Sequence, residues 1–147
     1  MSKHRQLHIC LFAVYCAVML WLLFHRAGAI EGVDYWEQVS MSLNLKPFQT
    51  IMRYARLLDS ARPYLVRLAV INLFGNIIMF IPLGFFLPLV ISRLRRLWRV
   101  ILATAAIITL VEITQLLTLM GSCDIDDLIL NVIGAVVGYG LFRLIAK

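Results

Sequence analysis

The sequence predicts an all-α, polytopic membrane protein with four transmembrane helices and a short amphipathic helix in the loop between the first two. Of its 147 residues, 62% are hydrophobic and 15% are charged, whereas a soluble domain is roughly 45–50% apolar and about 25% charged. The apolar residues also form four runs close to the ~20 residues that a spanning helix needs. We therefore expect one compact membrane domain over residues 1–147.

The first apolar run, at 7–24, follows a short basic segment. A signal peptide is the alternative interpretation, because Ala27-Gly28-Ala29 offers a cleavage pattern. The run is longer than the ~7–15-residue core of a signal peptide, and His25 and Arg26 interrupt the approach to the pattern. Both features favour an uncleaved first span.

The long polar segment at 25–66 is the predicted outer loop. Part of it has apolar residues at helical spacing, with basic residues on another face: Ile51, Tyr54, Ala55 and Leu58 against Arg53 and Arg56. This pattern predicts a short amphipathic helix on the membrane surface, and Pro63 is expected to end it. Arg53 and Arg56, like Arg62 and Arg67, would be solvated, sit on lipid phosphates, or receive the phosphate or pyrophosphate of an isoprenoid-linked substrate.

Three further apolar runs, at 68–91, 100–120 and 128–145, complete the set of spans. With the N-terminus in the cytoplasm, the inner segments contain no acidic residue, and the outer segments hold seven of the eight acids. The inner basic residues are Lys3, Arg5, Arg93, Arg95, Arg96, Arg99, Arg143 and Lys147. The positive-inside rule therefore places both termini in the cytoplasm. The same bias explains the net charge of +6, and no nucleic-acid partner is expected.

The spans carry polar side chains at helical spacing. The second has Asn72 and Asn76 one turn apart, and the third has Glu112 and Gln115 at i, i+3. Glu112 is expected roughly 13 Å below the outer end of its helix. Because a carboxylate in hydrocarbon is costly, such groups normally face the bundle interior or a wet cavity. We expect a polar pocket open to the outside, formed by these residues together with Asn131. The alternative, that the amides only hydrogen-bond between helices, stays open for the asparagine pair.

An acidic segment precedes the fourth span. Asp124 is placed to act as an N-cap, but capping does not easily explain three neighbouring carboxylates at Asp124, Asp126 and Asp127. Asp124, Asp127 and Asn131 fall at i, i+3, i+7, so they would converge on one bound group. A hard cation or a hydroxylated or amine-bearing ligand would suit them. A divalent cation held by Asp124 and Asp127 is therefore one candidate cofactor.

Two features have structural interpretations. Gly134 and Gly138 form a G-x-x-x-G pattern that permits close helix packing. Pro82 and Pro88 are expected to kink the second span or loosen its hydrogen bonding.

Four segments, in order along the chain, carry a family resemblance. They are N-L-x-P-F at 44–48, N-x-x-x-N-x-x-x-F-x-P-L-G at 72–84, E-x-x-Q at 112–115 and D-x-D-D-x-x-x-N-x-x-G-x-x-x-G at 124–138. The ordered set resembles the VanZ-like family, which is named for a teicoplanin-resistance protein. Many relatives have an arginine or an aromatic residue just before the acidic run, where this chain has Gly121-Ser122-Cys123.

The resemblance implies a protein of the bacterial cytoplasmic membrane, from a family associated with reduced susceptibility to teicoplanin-type lipoglycopeptides. The leading hypothesis is that it binds or modifies an envelope lipid or a lipid-linked cell-wall intermediate, or blocks the drug's access to it. As an enzyme, it would use Glu112 or Asp127 as general acid/base. The expected substrate-binding residues are Asn72, Asn76, Gln115, Asp124, Asn131, Arg53 and Arg56. One alternative is a non-enzymatic transporter or binding module in which Glu112 titrates. Another is that the polar groups only hold the helices together.

Overall fold

The computed structural model describes residues 3–25 and 28–145, and within these ranges it contains six α-helices. They are α1 (Lys3–Phe24), α2 (Tyr35–Met41), α3 (Gln49–Leu57), α4 (Pro63–Val90), α5 (Leu97–Leu117) and α6 (Ile125–Ile145). Helices α1, α4, α5 and α6 are long and apolar enough to cross a membrane. The predicted all-α polytopic class is therefore confirmed. Ala27 of the cleavage pattern, Arg26 before it, and Lys147 of the basic residues assigned to the cytoplasm lie outside the described residues.

The start of the second span differs from the prediction. Pro63 was expected to end the amphipathic helix, but α3 already ends at Leu57 and Pro63 instead begins α4. The first turn of a helix does not need the N–H that proline lacks, and the φ of proline suits that position. The second span therefore begins before the predicted residue 68. Its first turn lies outside the continuous apolar run from which the span was predicted.

Helix α4 packs most extensively against α6, and glycines line their contact. A Cβ added at any of three glycines would collide with the backbone of the facing helix: Gly84 with Ala135, Gly134 with Ile77, and Gly138 with Ile81. The predicted role of the G-x-x-x-G pattern in close packing is confirmed. Because their backbones touch, α4 and α6 form the central pair of the bundle.

Helix α1 lies against α4, where the Tyr15 hydroxyl donates to the Met79 carbonyl at 2.9 Å. Helix α5 packs on α6. The largest buried apolar cluster joins α1, α4 and α5 and contains Met19, Phe80, Leu83, Leu87, Val100 and Ile108. This cluster holds α1 and α5 to the central pair.

The two ends of the bundle differ in chemistry. At one, called here the arginine end, a 3₁₀ turn (Ser92–Leu94) joins α4 to α5 beside Arg95, whose carbonyl accepts from the Tyr139 hydroxyl at 2.8 Å. The other end is called here the loop end, and α2 and α3 lie there, beside the ends of the spanning helices. There β1 (Leu43–Asn44) pairs in parallel with β2 (Cys123–Asp124). Neither α2 nor the strand pair was predicted, because such short elements leave no periodic pattern.

Candidate functional site

The strand pair brings together the 44–48 and 124–127 segments, which are far apart in sequence. The Asn44 amide donates to Asp124 Oδ2 at 3.1 Å, and the Thr50 hydroxyl donates to the same oxygen at 2.6 Å. The backbone N–H of Asp126 donates to Asp124 Oδ1 at 2.9 Å, as expected of an N-cap. Both Asp124 oxygens thus accept hydrogen bonds from the protein, and this residue organises the loop end.

Asp126 was not among the predicted site residues, yet it is the most completely buried carboxylate of the loop end, at 0% exposure. It accepts backbone N–H groups from Phe48 at 2.5 Å, Thr50 at 2.7 Å and Ile51 at 3.0 Å. These are N–H groups at the start of α3, which no residue of α3 itself can satisfy. A carboxylate is also favourable there because of the helix dipole. The amphipathic helix is therefore capped from α6.

An open cleft of about 590 Å³ lies beside this junction and is called here the loop-end cleft. Its charged and polar lining includes Lys46, Arg53, Asn44, Thr50, Ser122 and Asp124. Of the two arginines predicted to bind substrate, Arg53 lines the cleft. Arg56 is exposed on α3 and is not among the lining residues. Lys46, which also lines the cleft, was not among the predicted binding residues.

A smaller cavity of about 80 Å³ lies deeper between the spans, and is called here the polar cavity. Five of the predicted site residues line it: Asn76, Glu112, Gln115, Asp127 and Asn131. Ser122 lines both the cleft and this cavity. Asn72 does not line it, since its amide donates to the Leu68 carbonyl of its own helix at 2.8 Å. Sharing a helix face with Asn76 was therefore not sufficient to bring Asn72 into the pocket.

Two amides of the polar cavity also connect helices. Asn76 of α4 donates to Asp127 Oδ1 of α6 at 2.6 Å. Gln115 of α5 donates to the Leu23 carbonyl, in the last turn of α1, at 2.7 Å. These bonds agree with the interhelical role that the sequence left open for intramembrane amides. Each of these amides accordingly directs one N–H at a protein acceptor.

Glu112 and Asn131 are different, because each has a buried oxygen with no hydrogen-bond partner among residues 3–25 and 28–145. The two atoms are Glu112 Oε1 and Asn131 Oδ1, and both residues are 6% exposed. The other oxygen of Glu112, Oε2, faces the Cys123 sulfur at 3.9 Å. Burial, together with the nearby Glu112 and Asp124 carboxylates, raises the pKa of the Cys123 thiol. Cys123 therefore remains a protonated donor near neutral pH.

The predicted convergence of Asp124, Asp127 and Asn131 on one cation is not what the structure shows. Asp124 precedes the first residue of α6, so helical spacing does not extend to it. It lines the loop-end cleft, whereas Asp127 and Asn131 line the polar cavity. Within the described ranges, no group of three or more His, Cys, Asp or Glu residues is arranged to hold a metal ion.

An apolar groove of about 200 Å³ adjoins the polar cavity on the side of α1. Its lining comes from α1, α4 and α5: Tyr15, Cys16, Met19, Leu20, Leu23, Phe80, Leu83, Ile107 and Val111. Leu23, Phe80 and Val111 line both the groove and the cavity. The cleft, the cavity and the groove are therefore neighbouring spaces, and their surroundings change from polar in the cleft to apolar in the groove.

Comparison with known proteins identifies the family. The sequence profile of the VanZ/LLP1 family matches residues 12–146, a range that contains the cleft, the cavity and the groove. Protein VanZ of Enterococcus faecium is 29% identical over 138 residues, which is 93% of this chain and 74% of the relative. No solved structure matches this one. The profile match confirms the resemblance carried by the four motifs, and the chain, a multi-pass membrane protein, belongs to the VanZ/LLP1 family.

Proposed function

We propose that this protein binds an envelope lipid or a lipid-linked cell-wall intermediate, with the head group at the loop end and the hydrocarbon chain in the apolar groove. One observation carries the proposal: the three spaces are neighbours. The cleft and the polar cavity share Ser122 in their linings, and the cavity and the groove share Leu23, Phe80 and Val111. A ligand that occupies all three must be polar at one end and apolar at the other.

The chemistry of the loop-end cleft favours a phosphate or pyrophosphate in the head group. Lys46 and Arg53 supply two positive charges, and arginine can bind phosphate oxygens in a bidentate way. The lining acid, Asp124, already accepts hydrogen bonds from Asn44, Thr50 and the Asp126 backbone. With two basic residues against one acid, the lining of the cleft has a net positive formal charge.

The charge distribution supports an outward-facing cleft. The arginine end carries a dense basic cluster without acids, at Arg93, Arg95, Arg96 and Arg99. Under the positive-inside rule this end faces the cytoplasm, and the loop end faces outward. In that orientation the ligand belongs to the outer leaflet. Binding a cell-wall intermediate there would also make it less accessible to teicoplanin-type lipoglycopeptides. Reduced susceptibility to these drugs is the phenotype associated with the VanZ-like family.

Glu112 is the candidate for proton exchange if the bound lipid is also modified. It lies between the cleft and the groove, and its Oε1 accepts no hydrogen bond from the described residues. Asp127, the other acid proposed for this role, already accepts from Asn76. Lipid binding is required for either modification or sequestration, so binding is the property to test first.

The test is native mass spectrometry of the protein extracted in a gentle detergent, with the lipid that copurifies identified by its mass. Replacing Lys46 and Arg53 together with glutamine is expected to lower lipid occupancy at least tenfold. The expectation follows because a hydrogen bond to a charged group contributes about 1.5–3 kcal/mol and ~1.4 kcal/mol corresponds to tenfold in affinity. Arg56→Gln is the matched control, since Arg56 is a neighbouring arginine on α3 outside the cleft lining.

Equal losses in the Arg56→Gln protein and the double variant would point to general attraction of lipid to the basic face of α3. Unchanged occupancy in the double variant would contradict the assignment of the head group to the cleft.

A further inference from the structure

We infer that the polar cavity binds one compact cation, either a primary ammonium group or an alkali-metal ion. The inference deepens the proposed function and rests on it only for one source of the ligand, an amine carried by the bound lipid. The cavity is separate from the loop-end cleft that is proposed to bind phosphate, and the charge of its lining is opposite in sign. Three observations support the inference: the charge of the lining, the type of the unpartnered atoms and the available volume.

The lining of the polar cavity contains two carboxylates and no basic residue. Glu112 comes from α5 and Asp127 from α6, and the other lining residues are neutral. A buried carboxylate in a membrane is normally paired, hydrated or neutralised because its desolvation is costly. Asp127 already accepts a hydrogen bond from Asn76, so it is Glu112, with its unpartnered Oε1, that a bound cation would compensate.

The unpartnered atoms of the cavity are acceptors. Glu112 Oε1 and Asn131 Oδ1 are buried without a hydrogen-bond donor among the described residues. Two amide groups of the lining each direct one N–H to a protein acceptor, Asn76 to Asp127 and Gln115 to the Leu23 carbonyl. The cavity therefore offers oxygen ligands from two helices, and its lining contains no positive charge.

The size and the ligand types restrict which cation fits. A volume of about 80 Å³ admits an ammonium group or a small ion with little accompanying water. The combination of carboxylate and amide oxygens suits a hard cation. A quaternary ammonium group lacks the N–H donors that Glu112 and Asn131 require. The cavity therefore favours ethylammonium or Na⁺ over tetramethylammonium.

The test measures thermal unfolding of the full-length protein in a non-ionic detergent at constant ionic strength. Tetramethylammonium chloride is the baseline salt, replaced stepwise by ethylammonium chloride or by sodium chloride. A ligand near a hundredfold of its Kd is expected to raise the Tm by about 5 °C or more. Glu112→Gln is expected to abolish this rise and Asn131→Leu to reduce it. Glu37→Gln, the same change at an exposed position of α2, should leave it intact.

The two salts distinguish the sources of the cation. A rise with ethylammonium alone supports a lipid amine, and a rise with sodium as well supports an inorganic ion. No rise with either salt in the unsubstituted protein overturns the inference, whether or not the variants fold. A rise undiminished in Glu112→Gln also overturns it. Loss of lipid from the Lys46 and Arg53 double variant concerns other residues, so the two proposals can fail separately.

Discussion

Replacing Asp126 with alanine is expected to release α3 from α6 and to destabilise the loop end by about 3 kcal/mol or more. The change leaves the backbone N–H groups of Phe48, Thr50 and Ile51 without their acceptor. Each unsatisfied buried donor costs about 1–3 kcal/mol. Hydrogen–deuterium exchange is the direct measurement, and the Thr50 and Ile51 amides should lose most of their protection.

The control for Asp126 is Asp59→Ala, which removes an exposed carboxylate just after α3. It should leave the exchange rates at the start of α3 unchanged. Asp126→Asn keeps one carbonyl oxygen as an acceptor and is expected to have an intermediate effect. Protection of these amides that survives Asp126→Ala would contradict the assignment of Asp126 as the cap of α3.

Replacing Gly138 with alanine is expected to separate α4 from α6. The added Cβ would overlap the Ile81 carbonyl and approach the Phe85 backbone, neither of which can move independently of its helix. Overpacking typically costs ~1–3 kcal/mol, and a clash between two backbones lies at or above the top of that range. Denaturant titration of the purified protein measures the loss of stability.

Gly140→Ala is the matched control, because no atom lies within 4 Å of a Cβ added at that position of the same helix. Alanine is also the better helix former, so this variant should be as stable as the parent or slightly more so. Equal stability of the Gly138 and Gly140 variants would show that the two helices do not pack on their glycines.

The sequence predicted the spans because an apolar run of about 20 residues is typical of a transmembrane helix. It also predicted most of the polar cavity, because helical spacing places Glu112 with Gln115 and Asp127 with Asn131 on shared faces. Asn72 shows the limit of that reasoning. Its position one turn from Asn76 is compatible with the pocket, but its amide is satisfied locally by the Leu68 carbonyl.

The loop end could not be predicted in the same way. Asp126 caps a helix more than seventy positions earlier in the chain, and nothing in the local sequence of either segment indicates that partner. Phe48 illustrates the consequence, because it precedes α3 as its N-cap residue at a φ of 64° and makes no side-chain cap hydrogen bond. Such a conformation is uncommon for a residue other than glycine. Its backbone N–H instead donates to Asp126 of α6, a contact from across the fold.

The central claim is that a lipid chain occupies the apolar groove, and photo-crosslinking tests it most directly. A photoreactive amino acid at Leu20 would face the groove, whereas one at Val18 would point about 200° around α1 toward other surroundings. The two positions are comparably exposed, at 54% and 50%. After irradiation of cells that produce the protein, we expect Leu20 to capture predominantly one class of phosphate-bearing lipid and Val18 to capture the bulk mixture. Identical lipid mixtures at both positions would contradict the account.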